Sequence, residues 1–154
     1  MISIYKPKCS DLWFKELMLS DQETMSYNHA WGGTISFPKE DWKDWYDYWV
    51  INPSDKRYYR YIKNEEGEFV GEIAYHYDLE TNYYLANVII YSKYRCKGYG
   101  GMALDVLCKV AKKNGVKVLY DDIAIDNPAT SLFIKHGFIE EYRTKGKIFL
   151  KKEL

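Results

Sequence analysis

The sequence predicts an α/β domain: a central mixed, twisted sheet of about six to seven strands, flanked by about four helices. Three observations carry that prediction. Val88, Ile89 and Ile90 make a continuous β-branched run, as in a strand covered on both faces. Arg95 and the glycines Gly98, Gly100 and Gly101 follow at once. Ala103, Leu104, Leu107, Val110 and Ala111 then recur at i, i+1, i+4, i+7 and i+8, the stripe of an amphipathic helix. Strands and helices alternate on both sides of this unit, so the 154 residues read as one domain spanning 1–154.

Taken in order, Ile2, Ile4 and Tyr5 suggest a short strand ending near Pro7. Ser10 is an N-cap candidate for a helix carrying Leu12, Trp13, Glu16 and Leu17. Ser20 to Phe37 is rich in aromatic and polar residues but lacks sustained periodicity. Pro38 stands where a helix starts, and Trp42, Trp45, Tyr46, Trp49 and Val50 follow with helical spacing. Such an aromatic stripe reads as core. Asn52-Pro53 closes that helix. Tyr58–Ile62 and Phe69–Tyr77 read as strands joined by a polar turn at Asn64–Gly67, and Tyr83–Tyr91 is the strand that feeds the glycine turn. Gly115 falls where the central helix should stop. Val116–Ile125 gives another strand and Pro128–His136 a short helix closed by Gly137. Phe138–Tyr142 and Lys147–Lys151 complete a terminal hairpin.

Lys+Arg and Asp+Glu both number 22, so no global basic field favours nucleic acid. No run of about 18 apolar residues is present, and the first residues lack a signal-peptide core. A cytoplasmic protein without a membrane segment is the expectation. Cys9, Cys96 and Cys108, like His29, His76 and His136, are scattered. They match neither a disulfide framework nor a zinc site, so no metal is expected.

A glycine-rich turn opening a helix aims successive N–H groups into one concavity, where the helix end carries roughly +0.5 charge. Anions bind there, and Arg95 and Lys97 add positive charge at the rim. A tight turn needing glycine only for steric reasons is the alternative. The run Tyr94-Arg95-Cys96-Lys97-Gly98-Tyr99-Gly100 resembles the acetyl-CoA pyrophosphate loop of the GNAT acetyltransferase superfamily, Arg/Gln-x-x-Gly-x-Gly/Ala. A second stretch, Asp126–Phe138, resembles that superfamily's later motif: an Asn, a short helix with an aromatic in its second turn, then Gly-Phe. The matches come in the expected order with a helix and a strand between them.

The resemblance implies an acetyl-CoA-dependent N-acetyltransferase that moves acetyl directly to an amine in a ternary complex. It places the pantetheine arm along Ile89, Ile90 and Tyr91, and the pyrophosphate on the amides of Cys96, Lys97, Gly98, Tyr99, Gly100 and Gly101. Asn127 would bond the arm as well as cap its helix, with Ser131 on the same helix near the cofactor. At Cys96 the family commonly has glycine. The aromatic of the second motif, a proton-donating tyrosine in many members, is here Phe133, so Phe133 can line the cofactor site but gives no proton. Tyr91 is the substitute candidate. For the base, Glu72 ranks first and Asp122 second among the strand carboxylates Glu72, Asp121 and Asp122. A carboxylate amid apolar strand residues is costly to bury unless paired or functional, and neighbours such as Asp121 and Asp122 point to opposite faces of a strand. Tyr27, Trp31 and Gly32 are the expected acceptor wall. The implied acceptor is a small-molecule or peptide amine, and a homodimer is compatible with the resemblance. A non-catalytic acyl-CoA-binding module is the competing reading, which Phe133 suits. A nucleotide P-loop lacks its G-x-x-x-x-G-K-[ST].

Overall fold

The computed structural model describes residues 1–154, apart from the side chains of Ala30 and Trp31. Seven strands build one sheet: β1 (Ser3–Tyr5), β2 (Arg57–Lys63), β3 (Phe69–Asp78), β4 (Tyr83–Ile90), β5 (Val118–Ala124), β6 (Ile139–Arg143) and β7 (Lys147–Glu153). Their order is β1-β2-β3-β4-β5-β7-β6. Every neighbouring pair is antiparallel except β4 and β5, which run parallel. That parallel step requires a crossover, supplied by α3 (Tyr99–Lys113). The other helices are α1 (Trp13–Ser20), α2 (Trp42–Tyr46) and α4 (Thr130–Lys135), with a 3₁₀ segment at Thr24–Trp31.

Side chains alternate across the strands, so the sheet carries a core on each face. Ile73, Leu119 and Ile123 pack with Leu104, Leu107 and Ala111 of α3 on one face. Phe14 and Met18 of α1 pack with Tyr59, Tyr61 and Ala74 on the other. Gly115 (φ +91°) and Gly137 (φ +95°) end α3 and α4 in the left-handed conformation expected of them.

Two helical stripes differ from their sequence readings. The chain enters α1 through a 3₁₀ turn at Cys9–Leu12 rather than from a Ser10 cap, and Phe14, Lys15, Met18 and Leu19 face inward. Trp13 and Leu17 face out. A lysine on the buried face moved the apparent stripe, and its burial has an electrostatic cause described below. The α2 helix passes into a π turn at Asp47–Ile51, a local widening that re-aims side chains. Val50 is buried as expected, but Trp45 and Trp49 face a cavity. Among the described residues, no helix is long and apolar enough to cross a membrane.

Candidate active site

The central strands part. β3 and β4 stay in register from Asp78↔Tyr83 to Gly71↔Ile90, whereas β4 and β5 pair only at Tyr84↔Leu119 and Leu85↔Tyr120. Tyr91 N–H donates to Val70 O at 2.9 Å. By the two-residue period, the backbone groups of Val88 and Ile90 then turn away from β3, into the gap. These are the groups that an extended amide-bearing arm needs as ladder partners. A cavity of about 800 Å³ occupies the gap. Val88, Ile90, Gly100, Leu104 and Leu132 bound it on the α3 face of the sheet; Trp45, Trp49, Ala74 and His76 bound it on the other. The cavity therefore runs through the sheet, and two molecules can meet inside it from opposite faces.

At the α3 end, the turn takes left-handed backbone at Cys96 (φ +63°) and Gly98 (φ +85°), bending the amides before the helix into the concavity. Cys96 thus holds a conformation that favours glycine. Cys96→Gly is expected to raise stability by about 0.5–1 kcal/mol and to spare CoA affinity, as read by thermal melts with and without CoA. Gly100 brings α3 close to α4, since a Cβ there would stand 3.3 Å from Leu132 Cδ2. Gly101 lies against the ring of His136, whose Nδ1 is 2.8 Å from Asp105 Oδ1.

Arg95 reaches the cavity, but its guanidinium donates to the carbonyls of Glu23 (2.9 Å) and Thr24 (2.6 Å). Ser92 reinforces the same junction: its N–H donates to Thr24 Oγ1 at 2.9 Å and its hydroxyl to Asp21 Oδ2 at 2.6 Å. The Ser92 and Thr24 hydroxyls hold the Asp21 carboxyl below its usual range. The glycine turn is thereby stitched to the 3₁₀ segment that carries Ser26, Tyr27, Asn28 and His29 to the cavity. At the mouth, His29 Nε2 lies 3.5 Å from Asp126 Oδ2, on the loop after β5.

Glu72 is only 1% exposed, at the cavity wall. It is not the unpartnered carboxylate that its apolar neighbours suggest. Lys15 Nζ donates to Oε1 at 3.0 Å, Tyr59 OH donates to Oε1 at 2.6 Å, and Asn87 Nδ2 donates to Oε2 at 2.9 Å. Lys15 Nζ also lies 4.8 Å from the Trp45 ring centroid and 4.9 Å from that of Tyr59. The pair explains the inward lysine of α1. The expected base Glu72 therefore stands at the cavity wall as an ion-paired carboxylate with three hydrogen-bond donors rather than as a free one.

Asp122 lines the cavity with its Oδ2 3.0 Å from Lys147 Nζ. Asp121 lines it too, although the two project to opposite faces, because the cavity passes through the sheet. Burial, then the charge of Asp122, pushes the Asp121 carboxyl well above its usual range. Burial comes first also for Tyr27, whose phenol is raised with further contributions from Glu72 and Asp121 and so stays protonated. His76 joins them on β3, with its ring 6.0 Å from that of Trp49 and edge to face. Burial lowers its pKa, against the opposing pull of Asp78 and Asp122. Its imidazole is therefore neutral at pH 7.

Of the residues expected at the site, Tyr27, Glu72, Ile89, Ile90, Arg95, Gly100, Asp122, Asn127 and Phe133 come together around the cavity. Asn127 Oδ1 accepts from Ala129 N–H at 2.9 Å, which sets the turn before α4. Phe133 is buried edge to face on Phe138, ring centroids 5.0 Å apart. Cys96, Lys97, Gly98 and Tyr99 form the exposed to half-exposed turn outside the cavity proper. Three expectations move. Tyr91 does not line the cavity; its ring packs against Phe14 (6.0 Å) and Tyr94 (6.3 Å), which removes it as the substitute acid. Ser131 is exposed and donates to Pro128 O at 3.1 Å. Gly32 is exposed past the end of the 3₁₀ segment, outside the lining, and the Trp31 side chain lies outside the described residues. The sequence reading missed Lys15, Trp45, Trp49, Tyr59, His76 and Asn87. One signal was present for His76: Glu72, Ala74 and His76 share parity on one strand.

Residues 17–138 match the model of the acetyltransferase (GNAT) family. Among curated proteins, none matches. The fold is similar to a Vibrio cholerae spermidine N-acetyltransferase solved with CoA and spermine, at TM-score 0.81 and 16% identity over 99% of this chain and 95% of that one. It is also similar to a GNAT-family acetyltransferase from Bacillus anthracis, at TM-score 0.78 and 19% identity over 99% and 94%. With the parted strands and the glycine turn that opens α3, the family match leaves one conclusion: the chain belongs to the GNAT acetyltransferase family.

Proposed function

We propose that this protein transfers acetyl from acetyl-CoA to an amine, both bound at once, with the cofactor on the α3 side of the parted strands and the acceptor on the α1/α2 side. The observation that carries this reading is the cavity running through the sheet, because direct transfer needs a route in from each face. Acetyl-CoA fits the residues present: the turn from Cys96 to Gly101 holds the diphosphate, and the gap-facing backbone of Val88 and Ile90 holds the arm. Bound there, it supplies an activated acyl group. One such N–H also meets the charge that develops on the thioester carbonyl, worth about 2.7–4 kcal/mol in comparable sites.

On the acceptor side, the Trp49 face offers a cationic amine a cation–π contact of about 0.5–2 kcal/mol. An alkylammonium with pKa near 10.4 costs about 4.6 kcal/mol to deprotonate at pH 7, so the site needs a proton acceptor. Tyr27, a protonated phenol at the cavity wall, supplies a proton to the leaving thiolate in place of the tyrosine that Phe133 lacks. The three cysteines are unpaired, which suits a reducing compartment, and we place the reaction in the cytoplasm.

Release of CoA thiol across a panel of polyamines, amino acids, arylalkylamines and peptide N-termini tests the reading. Gly98→Val should weaken CoA at least tenfold by calorimetry, about 1.4 kcal/mol, because a β-branched residue cannot hold φ +85°. Unchanged affinity in the folded variant removes the diphosphate site from the turn. Tight CoA binding without thiol release from any amine replaces the enzyme with a CoA-binding module.

A further inference from the structure

We propose that His76, rather than a carboxylate, takes the proton from the acceptor's ammonium group; this rests on the acetyltransferase reading above. The argument begins with register. His76 pairs with Leu85 on β4, and Leu85 pairs with Tyr120 on β5. These are the last paired residues before β4 and β5 separate, so His76 stands in the row that marks the apex of the gap. Glu72 pairs with Ile89, four residues nearer the mouth, about 13 Å away at roughly 3.3 Å per residue. An arm that enters beside Ile90 and runs along β4 carries its reactive end toward the apex. The Leu85–Asn87 rows, and His76 beside them, then lie closer to the chemistry than the Glu72 row.

The other candidates are engaged. Three donors bind Glu72, one of them the Lys15 ammonium, and Asp122 is ion-paired with Lys147. His76 lines the cavity and meets Trp49 edge to face, a contact that orients the ring without occupying a lone pair. Charged and titratable groups face it from every side. Arg57 is its register partner on β2, and Lys56, Tyr48 and Tyr77 share with it a smaller adjoining cavity. Asp78 lies two residues along its own strand, and Asp122 faces it from β5. Both acids favour the imidazolium, yet burial outweighs them, so the ring is neutral and ready to accept at pH 7.

The step balances without a further reagent. One proton passes from the ammonium to an imidazole nitrogen of His76, directly or through one water, and later to solvent. The freed lone pair forms the N–C bond at the thioester carbonyl carbon, and the C–S bond breaks with its electron pair going to sulfur. The nitrogen sheds a second proton as the amide forms, and the thiolate gains one, by way of Tyr27 or water.

The test compares pH profiles of kcat/KM for wild type, His76→Gln, Glu72→Gln and Asp122→Asn, using the best amine of the panel. His76 is active when unprotonated, so wild-type activity should be full above its pKa and fall as pH drops through a midpoint below 6.5. His76→Gln should lose 10²–10⁴-fold at pH 7, lack that acid limb and keep CoA affinity. Added imidazole should restore part of the rate in His76→Ala, which a purely structural role does not allow. An NMR titration of His76 in wild type needs no variant, and its midpoint should match the limb. A His76→Gln profile that overlays wild type overturns the assignment, as does a His76 midpoint away from the limb, or a large loss confined to Glu72→Gln or Asp122→Asn. Wild-type thiol release with an unaffected His76→Gln sinks this proposal alone. Absence of release from every amine in wild type overturns the acetyltransferase reading and this one with it.

Discussion

Lys15→Met is expected to lower stability by about 3–5 kcal/mol, because it leaves the Glu72 carboxylate buried without its counter-charge. The side chains are 10% and 2% exposed, so water cannot take the lysine's place at little cost. The methionine keeps most of the lysine's length and still packs on Trp45, which isolates the charge from the volume. Glu72→Gln alone should also destabilise, by stranding the ammonium. Lys15→Met with Glu72→Gln should lose much less than the sum of the singles, since Tyr59 and Asn87 can bond a neutral amide. Urea melts of the four proteins form a double-mutant cycle. Additive losses would show that the pair carries no coupling and that each residue matters only for packing.

Gly71→Ala should be nearly as damaging, through backbone rather than charge. A Cβ at Gly71 would collide with the carbonyl oxygen of Ile89 and stand 2.9 Å from Ile90 Cδ1 and 3.2 Å from Ile90 Cα. Backbone cannot move aside as a flexible side chain does, so the end of β4 must shift. Overpacking of this kind costs about 1–3 kcal/mol. The shift also displaces the gap-facing Ile90 amide, so CoA affinity should fall at least tenfold. The contrast is Gly146→Ala, where nothing lies within 4 Å of the added Cβ and both quantities should hold. A Gly71→Ala protein that melts and binds CoA like wild type would mean that β4 needs no close approach there.

The β4–turn–α3 unit was legible because its signals are local. A β-branched run, glycines at fixed offsets and a helical stripe each fix geometry within a few residues. The residues proposed for the cofactor half, Ile90 through Gly101 with Asn127 and Phe133, lie on or beside that unit, and Ile90, Gly100, Asn127 and Phe133 line the cavity. The acceptor half depends on pairings that the linear sequence hides. Lys15 gave no signal of its own, because its partner lies 57 positions away. Glu72 was legible as an anomaly on β3, but its role depends on Tyr59 and Asn87, which arrive from two neighbouring strands. Trp45 and Trp49 have the spacing of a core stripe and do pack against the core, but the same rings also line the cavity, which their spacing does not reveal. Tyr91 looked available because it ends the cofactor strand, whereas Phe14 on α1 claims its ring.

Arg95 spends its guanidinium on the carbonyls of Glu23 and Thr24, which joins the two half-sites thermodynamically. The segment it holds carries Tyr27 to the proposed acceptor end, while the turn beside it is the proposed diphosphate site. A ligand that draws the turn inward therefore moves the acceptor wall too. Whatever factor CoA contributes to acceptor affinity, the acceptor must return to CoA. Bi-substrate kinetics should reveal that reciprocity as equal ratios of bound to free dissociation constants for the two ligands.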